Sequence, residues 1–401
     1  MSMAKAYKIA VTDEDLALLK RKLELSRFPD ELEEAGWDYG APLADIKRLA
    51  ARWREGYDWR KYEAELNVLP MFTRDIAIDD HGSLNIHYVH QQSMVENAIP
   101  LLFVHGWPGS FIEVRKVISL LTASSPDHPS FHVVALSLPG YAFSEAPRNK
   151  GFSGPQYAEL GHKLMLSLGY EEYVTQGGDW GHFVTRFMAY TYGPKNVKAW
   201  HTNFAAAMSP PRLFSDPRAF LSHIFSRYTP QERLALQRTA HMISNGRGYT
   251  EQQSTQPQTL GYSLSDSPIG LLAWIYEKLV AWTDAYQWED DEVLTWISIY
   301  WFSRAGPTAA TRIYYEVGKT GGFLAPPRPA IPMGVSYFPK DIYQAPRTWL
   351  RVVGNPVFVA SHSEGGHFAA YERPSELVGD LRKMYARGGP AYGVVQGKDG
   401  Y

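Results

Sequence analysis

Residues 176–183 read QGGDWGHF, after the apolar run YEEYVTQ and before HFVTRFMAYTY, which has the pattern of a helix. Strand, glycine-flanked turn and helix together form a nucleophile elbow, in which small neighbours allow a sharp turn that lifts one side chain to the top of a sheet. That position usually carries serine. Here it carries Asp179, and a carboxylate there can attack an electrophilic carbon and form an alkyl ester. Such an ester needs donors for its developing oxyanion and a base that activates water. A Gly-Gly-Asp turn by itself is also an ordinary loop, so the partners must come from elsewhere in the chain.

On both sides of the elbow the pattern alternates between strands and helices. LNIHYVH (84–90) has period two, whereas IPLLFV (99–104) and FHVVALSL (131–138) are nearly continuous apolar runs, as in strands buried on both faces of a parallel sheet. SFIEVRKVISLLTA (110–123) and the spacing of Tyr157, Leu160, Leu164 and Leu168 predict helices between them. Further strands are expected at 197–204, 331–338 and 356–361, with a closing helix in PSELVGDLRKMYAR. The β-α-β-α order predicts an α/β class with a doubly wound sheet.

Two stretches depart from this alternation. Residues 1–80 read as a helical segment: Thr12 and Asp15 resemble a capping box before Leu16, Leu19 and Leu23, and Ile46, Leu49 and Trp53 share a second helical face. Residues 205–325 are mostly helical, as in IGLLAWIYEKLVAWTD, with no Gly/Ser-rich linker at either end, and are expected to form a cap. The sheet domain is then 81–204 joined to 326–401, with the tail GGPAYGVVQGKDGY loosely held.

The bulk properties exclude several classes. The 401 residues carry a formal net charge of -2 with no basic block, which argues against a nucleic-acid partner. There are no cysteines, hence no disulfides and no thiolate metal sites. MSMAKAYKIAVTDEDL lacks the apolar core of a signal peptide, and no apolar run reaches membrane-spanning length; the expectation is a soluble, cytoplasmic protein. The 25 tyrosines and 12 tryptophans fit either an aromatic pocket or simply a large core.

The elbow's partners emerge from chain order. FVHGWPGS (103–110) follows a buried strand, where hydrolases of this sheet place their oxyanion loop, so the backbone amides of Trp107 and of Trp180 could face one oxygen. SEGGHFAAYERP (363–374) follows the last strand and offers His367, one of 13 histidines, selected because the triad of this fold runs nucleophile, acid, histidine. Asp341, in SYFPKDIY, is the expected orienting acid. Glu364 competes, but only three residues from His367 it is expected to shape the loop.

With these motifs assembled, the chain resembles the microsomal-type epoxide hydrolases in their soluble, fungal-like form. The resemblance spans nearly the whole sequence: YDWRKYEAELN matches the N-terminal segment, HGWPGS the oxyanion loop, GGDWG the nucleophile turn, and FPKD with EGGHFAAYERP the acid and histidine. It implies an α/β-hydrolase fold, a mostly parallel sheet flanked by helices with a helical cap, and hydrolysis of an epoxide by water without cofactor or metal. It also implies that Tyr249 in GRGYTEQQSTQPQTLGY and Tyr314 in TRIYYE hold the epoxide oxygen; without it both read as core aromatics, and Tyr315 is an adjacent decoy. A homodimer is implied by resemblance alone. Ser137 departs from the Asp often found there in this fold, with no bearing on the chemistry.

Two readings compete. A haloalkane or haloacid dehalogenase shares the sheet, the Asp nucleophile and the histidine, and the Trp180 indole could bind halide. A catalytically silent ligand-binding homologue would share the fold alone, but it should have lost a member of the constellation, and none is missing.

Overall fold

The apolar runs become strands of one sheet in a computed structural model that describes residues 3–207, 209–214, 216–321 and 327–401. Among the described residues the strands are β1 (Lys5–Ala6), β2 (Met71–Ile78), β3 (Gly82–Gln91), β4 (Ile99–Val104), β5 (Phe131–Leu136), β6 (Tyr173–Gly177), β7 (Val197–Thr202), β8 (Pro332–Tyr337) and β9 (Asn355–Ser361). Their order is β1-β2-β3-β5-β4-β6-β7-β8-β9. Pairing is antiparallel from β1 to β5 and parallel from β5 to β9. Every residue of β4 and β6 is buried, because helices cover both faces there. This is the α/β-hydrolase sheet expected from the sequence, and β6, near its centre, ends at the elbow.

Three local expectations need correction. β2 lies within the stretch read as helical; its burial alternates imperfectly, and it gains its place by pairing along its whole length with β3 across a turn where Asp80 and Gly82 have positive φ. Residues 110–123 do not form one helix. Bonds from Glu113 N to Ser110 O and from Val117 N to Val114 O tighten the chain into a 3-10 turn, Phe111–Lys116, followed by a short helix, Ile118–Thr122. The tail is not loosely held: Gly400 donates to Asn97 O and accepts from Ser130 N, both at 2.8 Å, while Ala391 and Val395 are buried.

The N-terminal helices form as the pattern predicts. Thr12 Oγ1 accepts from Asp15 N at 3.1 Å and opens helix Asp13–Glu24, which buries Leu19 and Leu23; helix Leu43–Glu55 buries Ile46, Leu49 and Trp53. Helix Pro268–Ala281 packs on both of these helices and on helix Asp290–Trp301, which in turn contacts helix Leu43–Glu55 and reaches the Pro108 carbonyl, with Trp296 and Ile297 fully buried. Helix Pro230–His241, also between β7 and β8 in the chain, buries none of its residues. The expected boundary at 325–326 lies outside the described residues. No helix among them is long and apolar enough to cross a membrane.

Candidate active site

The elbow forms because glycine allows backbone to meet backbone. A Cβ at Gly181 would collide with the Val104 carbonyl, and one at Gly177 with the Gly181 carbonyl, so helix Trp180–Tyr192 starts directly against β4 and β6. Between them Asp179 adopts φ 48° and ψ -126°, a conformation that costs a non-glycine residue about 1–3 kcal/mol and persists only where its surroundings enforce it. Gly106 lets the oxyanion loop lie against this side chain, since a Cβ there would overlap Asp179 Oδ1 and Cβ.

The contacts of Asp179 distinguish its two oxygens. Oδ1 accepts from the Trp107 backbone amide at 2.8 Å, whereas Oδ2 lies 3.4 Å from His367 Nε2. His367 Nδ1 donates to Asp341 Oδ1 at 2.7 Å, and that oxygen also accepts from Ile342 N at 2.7 Å. Glu364 stands apart: it is largely exposed and paired with Arg373. Trp180 begins the helix after the elbow with its side chain buried and its ring 4.8 Å from that of Tyr314. Ser137 Oγ lies 2.8 Å from His87 Nδ1, in a separate contact.

Electrostatics in this buried cluster favour an imidazolium between carboxylates. Burial opposes charge on His367, but Asp341 and then Asp179 outweigh it and hold the imidazole up to about 10. Burial raises the Asp341 carboxyl, opposed by His367. His105, just before Gly106, behaves oppositely: burial outweighs the pull of the Gly106 carbonyl and of the Asp179 charge and lowers it to about 4. Neutral, it can accept from Leu138 N with Nε2 while Nδ1–H donates to Gly106 O, fixing the loop.

Tyr249, in helix Gly248–Thr255, and Tyr314, in helix Arg312–Lys319, reach the same cavity. This cavity, about 340 Å³, is lined by both tyrosines together with Asp179, Phe183, Phe204 and Tyr343, and Ile243 and Arg247 lie towards its exposed side. The Tyr249 ring stacks on Trp107 at 5.1 Å, and the two tyrosine rings meet edge to face at 5.8 Å. Burial, then the Asp179 charge, pushes Tyr249 well above the ordinary phenol value; burial likewise raises Tyr314. Both are therefore neutral donors at ordinary pH. Tyr315 does not line this cavity, and its ring carries the Lys319 ammonium at 5.3 Å.

Several neighbours were not singled out from the sequence. Phe204 and Trp282 rings flank His367 at 5.6 and 5.1 Å. Phe204 lies just past β7, where the carboxyl ends of parallel strands gather ligand-binding groups, and that rule could have marked it. Trp282 follows helix Pro268–Ala281, and no local pattern marks it. Among the described residues no group of three or more His, Asp or Glu could hold a metal ion.

Comparison with known proteins identifies the family and the fold. The family profile described as "Epoxide hydrolase N terminus" matches residues 4–114, and that for the alpha/beta hydrolase fold matches residues 99–291. A putative epoxide hydrolase of Stigmatella aurantiaca is 38% identical over 389 residues, covering 94% of this chain and 84% of its own. Epoxide hydrolase 1 of Sus scrofa is 35% identical over 408 residues, covering 94% and 87%. The solved structure of Aspergillus niger epoxide hydrolase superposes with a TM-score of 0.82 at 35% identity, covering 94% of this chain and 95% of that one.

Proposed function

This chain belongs to the epoxide hydrolase family, and we propose that it converts epoxides and water to vicinal diols through a covalent hydroxyalkyl ester on Asp179. The observation that carries the reading is a single cavity in which the Asp179 carboxylate faces two buried phenols. Its division of labour follows the chain: residues 81–204 and 326–401 supply nucleophile, acid and base, residues 205–325 supply the tyrosines, and residues 1–80 brace the cap. Its partners are the epoxide and water; a homodimer and a soluble, cytoplasmic location belong to the same proposal.

Because Oδ1 is held by the Trp107 amide, Oδ2 is the attacking oxygen. It forms a bond to an epoxide carbon, the carbon–oxygen bond breaks, and the electron pair moves to the departing oxygen. Tyr249 and Tyr314 donate to that oxygen and one of them protonates it. Their elevated pKa suits this task, because an alkoxide is more basic than a phenolate and the negative charge leaves Asp179 as it forms.

Ester formation also prepares the second half. In the resting state two carboxylates hold the proton on His367. Alkylation removes the Asp179 charge and the imidazole pKa falls, so the imidazolium gives up its proton, which restores the tyrosine that protonated the alkoxide; neutral His367, oriented by Asp341, becomes able to take a proton from water. The resulting hydroxide adds to the ester carbonyl, and the Trp107 and Trp180 amides receive the oxyanion. Collapse of this intermediate releases the diol and returns the Asp179 carboxylate.

Mass spectrometry of His367→Gln, digested after brief mixing with an aryl epoxide, tests the reading. An adduct of epoxide mass on the Asp179 peptide is expected, because attack does not need the base whereas hydrolysis does. No adduct from any of several epoxides, with one from a haloalkane, would assign the site to dehalogenation instead; no adduct from either would favour a binding protein.

A further inference from the structure

The His367 loop makes a dense set of contacts with one carboxylate outside the triad. Glu372 Oε1 accepts from Phe368 N at 3.0 Å, and Oε2 accepts from Gly366 N at 3.1 Å. These are the amides on either side of His367. The same Oε2 accepts from Asp284 N of the cap at 2.8 Å. Asp284 returns a contact through Oδ2, which accepts from Gly365 N at 2.8 Å, and His367 N donates to Trp282 O at 2.8 Å. Four successive amides, 365 to 368, are thus bound either to Glu372 or to the cap segment 282–284.

Gly366 makes this close apposition possible, since a Cβ there would meet Trp282 O at 2.5 Å and Thr283 Cα at 2.9 Å. The carboxylate is well suited to its place. An ionised carboxyl accepts at both oxygens and donates from neither, and bonds from backbone amides to a charged acceptor are roughly twice as strong as neutral ones. Burial pushes Glu372 up to about 7, against the pull of its three amides and of His367.

Resting on the ester mechanism above, we propose that Glu372 is a positioning residue for the hydrolytic half-reaction, holding the His367 backbone in one register with the cap so that Nε2 is set against the ester. It touches neither substrate nor the reacting atoms, and its effect is confined to the step that uses His367 as a base. Glutamine has nearly the same shape, but it turns an N–H2 group towards amides that are themselves donors. The loop then loses at least one of its holds.

Rapid-quench kinetics of the full-length enzyme with an aryl epoxide resolves the two steps. For Glu372→Gln we expect ester formation within about twofold of wild type, hydrolysis slowed tenfold or more, and ester accumulating in the steady state. Asp284→Asn should retain the Gly365 contact through its amide oxygen and hydrolyse nearly normally, whereas Asp284→Ala, which removes that acceptor, should slow hydrolysis alone. Equal slowing of both steps with a lowered melting midpoint would make Glu372 a structural residue and overturn the proposal, as would unchanged hydrolysis. Should Glu372→Gln fail to fold, the two Asp284 variants decide: hydrolysis unaffected in both overturns it. The ester mechanism itself is tested separately, because His367→Gln must trap the adduct whether or not Glu372 matters.

Discussion

At the scale of single residues, the site depends on atoms that are absent. Gly106 shows this most directly, since a methyl group there would overlap the Asp179 side chain, and the overlap includes Asp179 Cβ, which cannot swing clear by rotation about χ1. The Asp179 backbone, fixed at φ 48° between two glycines that touch neighbouring chain, has no room to retreat. We therefore expect Gly106→Ala to move the carboxylate off its bond to the Trp107 amide. Misplacement of a reacting group by about 1 Å can cost roughly 100-fold in rate. Single-turnover ester formation should fall by about that factor, with the far-ultraviolet circular dichroism of the folded protein unchanged. Wild-type ester formation in this variant would mean that the Trp107 contact does not set the nucleophile.

At the scale of elements, the loops that carry Trp107 and His367 are held by helices and turns between β7 and β8. The oxyanion loop is gripped from helix Asp290–Trp301: Trp296 Nε1 donates to Pro108 O at 2.5 Å, and the Tyr300 hydroxyl donates to Gly109 O at 2.6 Å. Tyr300→Phe leaves that buried carbonyl without its donor, a loss of about 1–3 kcal/mol. Urea unfolding should report it, and because the same loop presents the Trp107 amide, ester formation should slow as well. A stability loss with wild-type kinetics would separate the clamp from catalysis. This division also explains what the sequence makes legible. Asp179 and His367 stand out because the proposed chemistry requires a particular side chain on a glycine-rich turn, and Trp107 because loop position alone defines a backbone donor. Glu372, Trp282, Trp296 and Tyr300 act through backbone hydrogen bonds between residues far apart in the chain, and such contacts leave no local spacing to read. β2 was hidden for a related reason: its alternation is imperfect, and pairing with β3 outweighs local pattern.

At the scale of the whole molecule, the N-terminal helices hold the cap in place by charge as well as by packing. Asp291, in the first turn of helix Asp290–Trp301, accepts from Arg52 Nε at 2.7 Å, from Arg52 Nη2 at 2.8 Å and from the Tyr62 hydroxyl at 2.7 Å. Arg48 pairs with the adjacent Asp290. The hydrogen bond from Arg52 is the largest influence on the Asp291 carboxyl and lowers its pKa, and a helix N-terminus favours the same charge. The sign of the pH dependence follows. A depressed folded-state pKa contributes stability above the unfolded value, near ~3.9, and loses it as pH falls through the folded value. Asp291→Asn should therefore melt below wild type at pH 7, by roughly 1 °C if the change is about 1 kcal/mol. The gap should persist down to about pH 4 and close below it, and it should narrow in high salt because Arg52 is partly exposed. Since the helix that carries Asp291 also carries Trp296 and Tyr300, weakening this brace should affect ester formation more than hydrolysis. A variant that melts early at every pH, with both steps unchanged, would show that the N-terminal segment stabilises the cap by packing alone.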